Sequence, residues 1–256
     1  MSIANKLTTI ATNNQKVYDA GKEVGVEAGK EIGIEAGRKA EYDAFWDNYQ
    51  ANGARTDYAH AFRNGWTANT FKPKYNLTVK TGNGMFSGTT IAGDLREILK
   101  ECNVILDTSQ ATSLNSMFYN NNGITAIGCL DARNATDVTY ALESSRGLKV
   151  VEKFIFKDDG SQNPNIVKYT PKLTRLIVEG TIGQNGFSAN QSPLDKESIT
   201  SIVNCLSTTT SGLTVTLAKF AINKTFETSE GANDGTTSAE WLSLIGTKSN
   251  WTISLV

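Results

Sequence analysis

Residues 106–151 contain the same unit twice, 24 residues apart, and this period limits the possible folds more than any other feature of the chain. Leu106-Asp-Thr-Ser-Gln-Ala-Thr-Ser-Leu114 aligns with Leu130-Asp-Ala-Arg-Asn-Ala-Thr-Asp-Val138. The register continues through Met117 and Ala141, Phe118 and Leu142, Gly123 and Gly147, Ile124 and Leu148, and Ile127 and Val151. A unit of this length cannot bury its apolar side alone, so it stacks on neighbours of its own kind and builds a solenoid. Such scaffolds present long surfaces suited to binding.

The flanking sequence reads as strands and short helices. Leu77-Thr-Val79 alternates like a strand, and Val104-Ile-Leu106 is another. Between them, Asp94 to Cys102 carries Leu95, Ile98 and Leu99 at helical spacing. Further strands are expected near Ile124 to Ile127 and Leu148 to Phe156. Residues 157–172 break the period as a surface loop, and Leu173 to Val178 resumes it. Ser192-Pro-Leu-Asp195 reads as a helix start with Ser192 as cap, and Thr237-Ser-Ala-Glu240 as a capping box. Leu213 to Leu217 and Trp251 to Leu255 alternate strictly and are expected strands.

The N-terminal region carries a different repeat, of eight residues, that places Gly21, Gly25, Gly29, Gly33 and Gly37 at every fourth position. On a helix this stripe drifts by only about 40° per glycine. Five helical glycines cost about 5 kcal/mol relative to alanine, which close approach to a partner helix can offset. Val24 and Val26, like Ile32 and Ile34, project about 200° apart. A helix apolar on two sides suits a trimer, with Val24 and Ile32 packing beside the glycines; the alternative is a tether that orders only on assembly. Lys22, Glu23, Glu27, Lys30, Glu31 and Glu35 interrupt the stripe every turn and exclude a bilayer.

Residues 38–51 read as an ordinary helix with Tyr42, Phe45, Trp46 and Tyr49 on one face, stopped near Gly53. Residues 54–75 are aromatic and irregular. Together, 38–75 are expected to cap the first repeat; the competing reading is an aromatic carbohydrate-binding platform.

Composition closes several functional classes. Charged residues make up 20% of the chain and the net charge is −1, so no basic field draws in nucleic acid. Cys102, Cys129 and Cys205 lack metal-ligand spacing and are expected as small buried residues. Residues 1–20 lack the apolar core of a signal peptide, and no run reaches membrane-spanning length. His60 is the only histidine, with Asp57 the only nearby acid, and no nucleophile motif accompanies them. Asp158-Asp159, and Glu230 with Asp234, lie in glycine-rich loops that do not by themselves supply six to eight calcium ligands. No catalytic residue, cofactor or metal site is expected.

The units Leu106 to Phe118 and Leu130 to Val138 resemble the BspA-type leucine-rich repeats of bacterial surface proteins, although Ala141-Leu142 departs from the methionine-phenylalanine pair of that pattern. Ala36 to Trp46, with Gly65-Trp66 and Phe71 to Tyr75, and Phe226 to Gly235 with Glu240-Trp241, resemble proteins encoded by phages and prophages of gut Firmicutes. The resemblance implies a recognition scaffold and not an enzyme. The expected fold is α+β: a glycine-repeat helix over 1–37, the aromatic cap over 38–75, and a short leucine-rich-repeat-like solenoid over 76–256. The expected function is a phage or phage-like particle structural or tail protein, homotrimeric or docked to other particle proteins. It would bind a host-surface protein or glycan without entering a membrane. The alternative is a bacterial cell-surface adhesin. The irregular loops are the expected binding elements, through Asn120, Asn121, Asn122, Asp158, Asp159 and Asn163.

Overall fold

The computed structural model describes residue 40 and residues 43–63, 66–226 and 235–256. The glycine repeat, with Gly21, Gly25, Gly29, Gly33, Gly37, Val24 and Ile32, lies outside the described residues, as do Glu230 and Asp234. The chain divides into two compact units, Met1–Tyr49 and Gln50–Val256.

In the first unit residues 43–49 are helical. Side chains three and four apart meet on a helix, and here they are aromatic. Phe45 stacks on Tyr49 with ring centroids 5.4 Å apart, and Trp46 stands edge-on to Tyr49 at 5.6 Å.

The second unit is α+β, with helices and parallel strands and no closed barrel among the described residues. β1 (Leu77–Thr78) pairs with β3 (Leu106–Asp107). β2 (Gly93–Asp94), β4 (Ile124–Asp131), β5 (Val150–Ile155) and β6 (Arg175–Glu179) form a four-stranded sheet. β7 (Ser188–Ala189), β8 (Leu213–Leu217) and β9 (Trp251–Leu255) form a three-stranded one. The sequence period becomes the strand register: Ala126 lies opposite Val150, its counterpart one repeat on, and Val150 lies opposite Arg175. Leu176 and Val178 turn inward by strand alternation, whereas β4 and β5 break it, burying Ile127 with Leu130 and Val151 with Phe154 three residues apart, and the β5–β6 register shifts between Val151 and Phe154.

A second ladder, built of turns, runs alongside. Parallel bridges join Asp57 to Thr81, Thr81 to Ser113, and Ser113 to Asp137. The amides of Tyr58, His60 and Phe62 donate to the carbonyls of Thr81, Asn83 and Met85, each at 2.8 Å. Gly82, Gly84 and Phe86 repeat this on Ser113, Asn115 and Met117, and Leu114, Ser116 and Phe118 on Asp137, Thr139 and Ala141. Residues 57–63, 81–88, 113–120 and 137–144 are therefore copies of one turn. The second and third are more widely separated in sequence than the other pairs because helix Leu95–Glu101 is inserted between them.

The turns bury their apolar residues in columns. Phe62, Phe86 and Phe118 form a continuous pile with centroids 5.2 and 5.0 Å apart, the second pair stacked nearly parallel at 9°. Tyr58, Phe62 and Phe71 are fully buried. The aromatics of this segment thus point into the protein, which corrects the carbohydrate-platform reading there. Residues 57–63 are a turn of the stack itself. The loop 157–172 likewise continues the stack: Tyr140 and Leu142 donate to Asn165 and Ile166 at 2.7 and 2.8 Å, and Ile166 and Val167 are buried.

A buried polar column runs beside the aromatic pile. Asn121 donates from Nδ2 to the Phe86 carbonyl at 3.2 Å, while its Oδ1 accepts from the amides of Gly123 and Ile124. Ser145, its counterpart on the next repeat, donates from Oγ to the Phe118 carbonyl at 2.6 Å. These side chains satisfy carbonyls of the preceding turn, groups that are costly to bury unpaired.

Two helix starts fall later than the sequence suggested. Asp195, not Ser192, caps helix Lys196–Cys205 by accepting from Ser198 N at 2.8 Å. Ser192 is buried against the Thr170 hydroxyl at 2.7 Å. Ser238, not Thr237, caps helix Ala239–Gly246 through Trp241 N. Among the described residues no helix is long and apolar enough to cross a membrane.

Candidate functional site

Turns 81–88, 113–120 and 137–144 each hold two residues in the left-handed region, and among the described residues the turns on either side hold one each. The first position is occupied in succession by His60, Gly84, Ser116 and Tyr140, with φ between 54° and 60°. The second is occupied by Gly88, Asn120, Ser144 and Tyr169, with φ between 53° and 60°. Glycine adopts this conformation freely, asparagine at small cost, and a bulky L-residue at about 1–2 kcal/mol. The last two turns nevertheless carry tyrosine. Tyr140 and Tyr169 are 41% and 40% exposed, and Tyr119, on the turn before Tyr140, is 39% exposed.

Backbone pairing brings these turns side by side. Asn120 N donates to the Glu143 carbonyl at 3.0 Å and Ser144 N to the Lys168 carbonyl at 2.8 Å. The result is a cavity of about 310 Å³ lined by Ser116, Tyr119, Tyr140, Glu143, Asn165 and Lys168. Lys168 Nζ lies 5.0 Å from the ring centroid of Tyr169, which extends the edge by one more aromatic.

Glu143 is the distinctive group. Its Oε2 is buried and has no hydrogen-bond partner. Burial pushes the carboxyl above the usual glutamate range, and the Lys168 cation pulls weakly the other way. For an acid this sign means that the folded chain holds the proton more tightly than the unfolded chain. Stability is therefore highest below the ordinary glutamate range and falls as pH rises through the window up to the raised value. Glu143→Gln is expected to melt at a higher temperature than the parent at about pH 7.5, and to lose that advantage at about pH 4. Equal melting points at the higher pH would refute the buried-carboxylate assignment.

The surface offers aromatic faces, one acceptor lacking a donor, an amide and a cation, an arrangement suited to holding a polar ligand. The Asp57 carboxylate accepts from Ala59 N at 3.0 Å. The His60 imidazole lies over Gly84, where a Cβ would come within 2.6 Å of its Nδ1.

The loop residues singled out by sequence divide three ways. Asn120 and Asn122 are exposed near the tyrosine edge. Asn121 is 1% exposed and positions the backbone, which corrects its assignment as a ligand-binding residue. Asn163 closes a turn on Asn165 N at 3.1 Å and so helps deliver Asn165 to the tyrosine cavity. Asp159 closes a similar turn on Ser161 N at 2.9 Å, and hydrogen bonding from the Ser161 side chain, then from its amide, lowers the Asp159 pKa.

Asp158 and Asp159 line a different cavity, of about 320 Å³, with Thr181, Cys205, Thr208 and Lys248. Lys248 Nζ donates to the carbonyls of Asn204 and Leu206 at 2.9 and 2.5 Å, at the C-terminal end of helix Lys196–Cys205. Cations are favoured at that end of a helix, so Lys248 has a structural role. A third cavity, of about 400 Å³, lies between helix Leu95–Glu101 and β4, beside the 60%-exposed Ile105. Arg96 on its rim is held by Asp94 and Glu152 at 2.5 and 2.6 Å.

The three cysteines are free thiols and none is fully buried, Cys129 being exposed and Cys102 and Cys205 half-buried, which corrects the expectation of burial. Leu130 faces the core from the same strand, so Cys129 must face outward. Burial pushes the Cys205 thiol up to about 11. Among the described residues no group of three or more His, Cys, Asp or Glu side chains is placed to hold a metal ion. No protein-family model, curated protein or solved structure matches the chain.

The tyrosine edge escaped sequence reading because its members occupy different positions on successive turns and so share no period. One signal was available: the repeat register sets Tyr140 against Ser116, a large aromatic in place of a small polar residue.

Proposed function

We propose that this chain is a non-enzymatic recognition protein carried on a phage or phage-like particle. Its second unit is then a short leucine-rich-repeat-like solenoid of the BspA type. The glycine repeat attaches the chain to the particle or joins copies of it as a trimer, and the repeat unit displays a surface to the host cell. The observation that carries this reading is the tyrosine edge: a parallel stack supports three exposed tyrosines, two of them at left-handed positions where smaller residues would be less strained, beside a carboxylate with an unpartnered oxygen. Local costs of this kind gather where a side chain is needed for binding.

Antibody raised against the full chain is expected to decorate intact particles purified from a lysate of the native host. Antigen displayed on bacteria free of particles would favour the adhesin reading instead. Antigen found only as soluble protein inside cells would contradict both.

A further inference from the structure

We propose that the tyrosine edge binds a neutral oligosaccharide, with pyranose faces on Tyr119, Tyr140 and Tyr169 and a pair of hydroxyls donating to the Glu143 carboxylate. The inference rests on the recognition function proposed above and names the chemical class of its ligand.

Four observations lead to it. First, the exposed aromatics of this edge are all tyrosines, whose rings offer an apolar face and whose hydroxyls stay wet. A pyranose has the matching form, an apolar C–H face rimmed by hydroxyls. Second, Tyr119, Tyr140 and Tyr169 stand on three successive turns. Laterally paired backbones lie about 4.8 Å apart, so the first and third tyrosines are offset by about 10 Å along the stack. That span matches roughly two rings of a glycan chain.

Third, Glu143 lines the cavity with a carboxylate whose buried Oε2 has no donor, and turning that carboxylate toward the cavity lets sugar hydroxyls supply one. Asn165 and Lys168 complete the lining with an amide and a donor cation. A protein partner would more naturally bring an apolar anchor, which needs an apolar pocket. No aliphatic side chain lines this cavity. Fourth, tyrosine occupies two left-handed positions that glycine, asparagine and serine fill on the turns just before, with histidine at the first turn. A side chain retained against its backbone preference is expected where that side chain is used.

The full chain is tested with cellotriose, chitotriose, maltotriose and mannotriose, by saturation-transfer NMR and titration calorimetry. At least one trisaccharide is expected to bind with Kd of about 10 µM to 1 mM. Tyr140→Asn, Tyr169→Asn and Glu143→Gln are each expected to weaken it at least about tenfold. Asparagine tolerates the left-handed backbone, so the two tyrosine variants are expected to melt at or above the parent temperature, which separates lost binding from lost folding.

Absence of binding to all four sugars overturns the inference, as does binding that survives all three substitutions. Labelled full chain applied to host cells separates this failure from failure of the recognition function. Cell binding abolished by protease treatment of the cells, with no trisaccharide bound, identifies a protein ligand and overturns only the glycan assignment. Absence of cell binding removes the recognition function itself.

Discussion

Phe118→Ala is expected to destabilise the chain by about 3–5 kcal/mol, the range for deleting a buried phenylalanine ring. Phe118 is 1% exposed and stacks nearly parallel on Phe86, which in turn contacts Phe62. Its loss opens a cavity at the end of an aromatic pile that crosses three turns, with chain on both sides held by backbone pairing. Phe118 N donates to the Ala141 carbonyl and its own carbonyl accepts from Ser145 Oγ, so the backbone is tied and cannot easily collapse into the space. Chemical denaturation should show a lowered midpoint. The adjacent exposed residue supplies the control: Tyr119→Ala is expected to change stability by no more than about 0.5 kcal/mol. Similar losses for both substitutions would show that the aromatic pile does not organise the stack.

Gly147→Ala is the second large effect. Gly147 does not need a left-handed backbone; what it lacks is room. A Cβ there would collide with the Asn122 carbonyl oxygen and stand 2.7 Å from its carbon. Both atoms are backbone, so no side-chain rotation relieves the contact, and the turns must separate. The expected loss is at least about 1–3 kcal/mol, the usual range for overpacking. Gly128→Ala is the matched control, since its nearest neighbour is 3.8 Å away, an ordinary contact, and no measurable destabilisation is expected. A neutral Gly147→Ala would mean that adjacent turns are not held at this spacing in solution.

Gly147 also shows why part of the fold could be read from sequence. It aligns with Gly123, whose Cβ would collide with the Ile91 carbonyl oxygen, so both glycines mark the same close approach of neighbouring turns. The strands Leu213–Leu217 and Trp251–Leu255 were legible because strict alternation suits a face with one buried side. Helix Leu95–Glu101 was legible from its Leu95, Ile98 and Leu99 spacing and the Asp94 cap.

The first turn, 57–63, was hidden for a physical reason. Turns pair by backbone hydrogen bonds, which place little demand on residue type. Tyr58-Ala-His-Ala-Phe62 shares only its final phenylalanine with the Met85-Phe86 and Met117-Phe118 pairs. The inserted helix then stretches the interval from Thr81 to Ser113 beyond the repeat period, so the register with later turns is lost. Asn121 misled for a related reason. Three asparagines in a row suggest a solvated loop, and only the stacking places the middle one in a buried polar column. The outward face of Cys129 was available from the alternation within β4, once that strand is known to run as far as Asp131. The tyrosine edge was the least legible element, because it is assembled from different turn positions by lateral pairing.

Cell binding decides whether the tyrosine edge recognises a host surface. Labelled full-length chain is applied to native host cells alongside the Tyr140→Asn, Tyr169→Asn double variant, with the melting temperature of each measured in the same buffer. Saturable binding by the parent and at least about a tenfold weaker affinity for an equally stable double variant is the expected result. Absence of saturable binding by the parent, or equal binding by both proteins, would contradict such recognition.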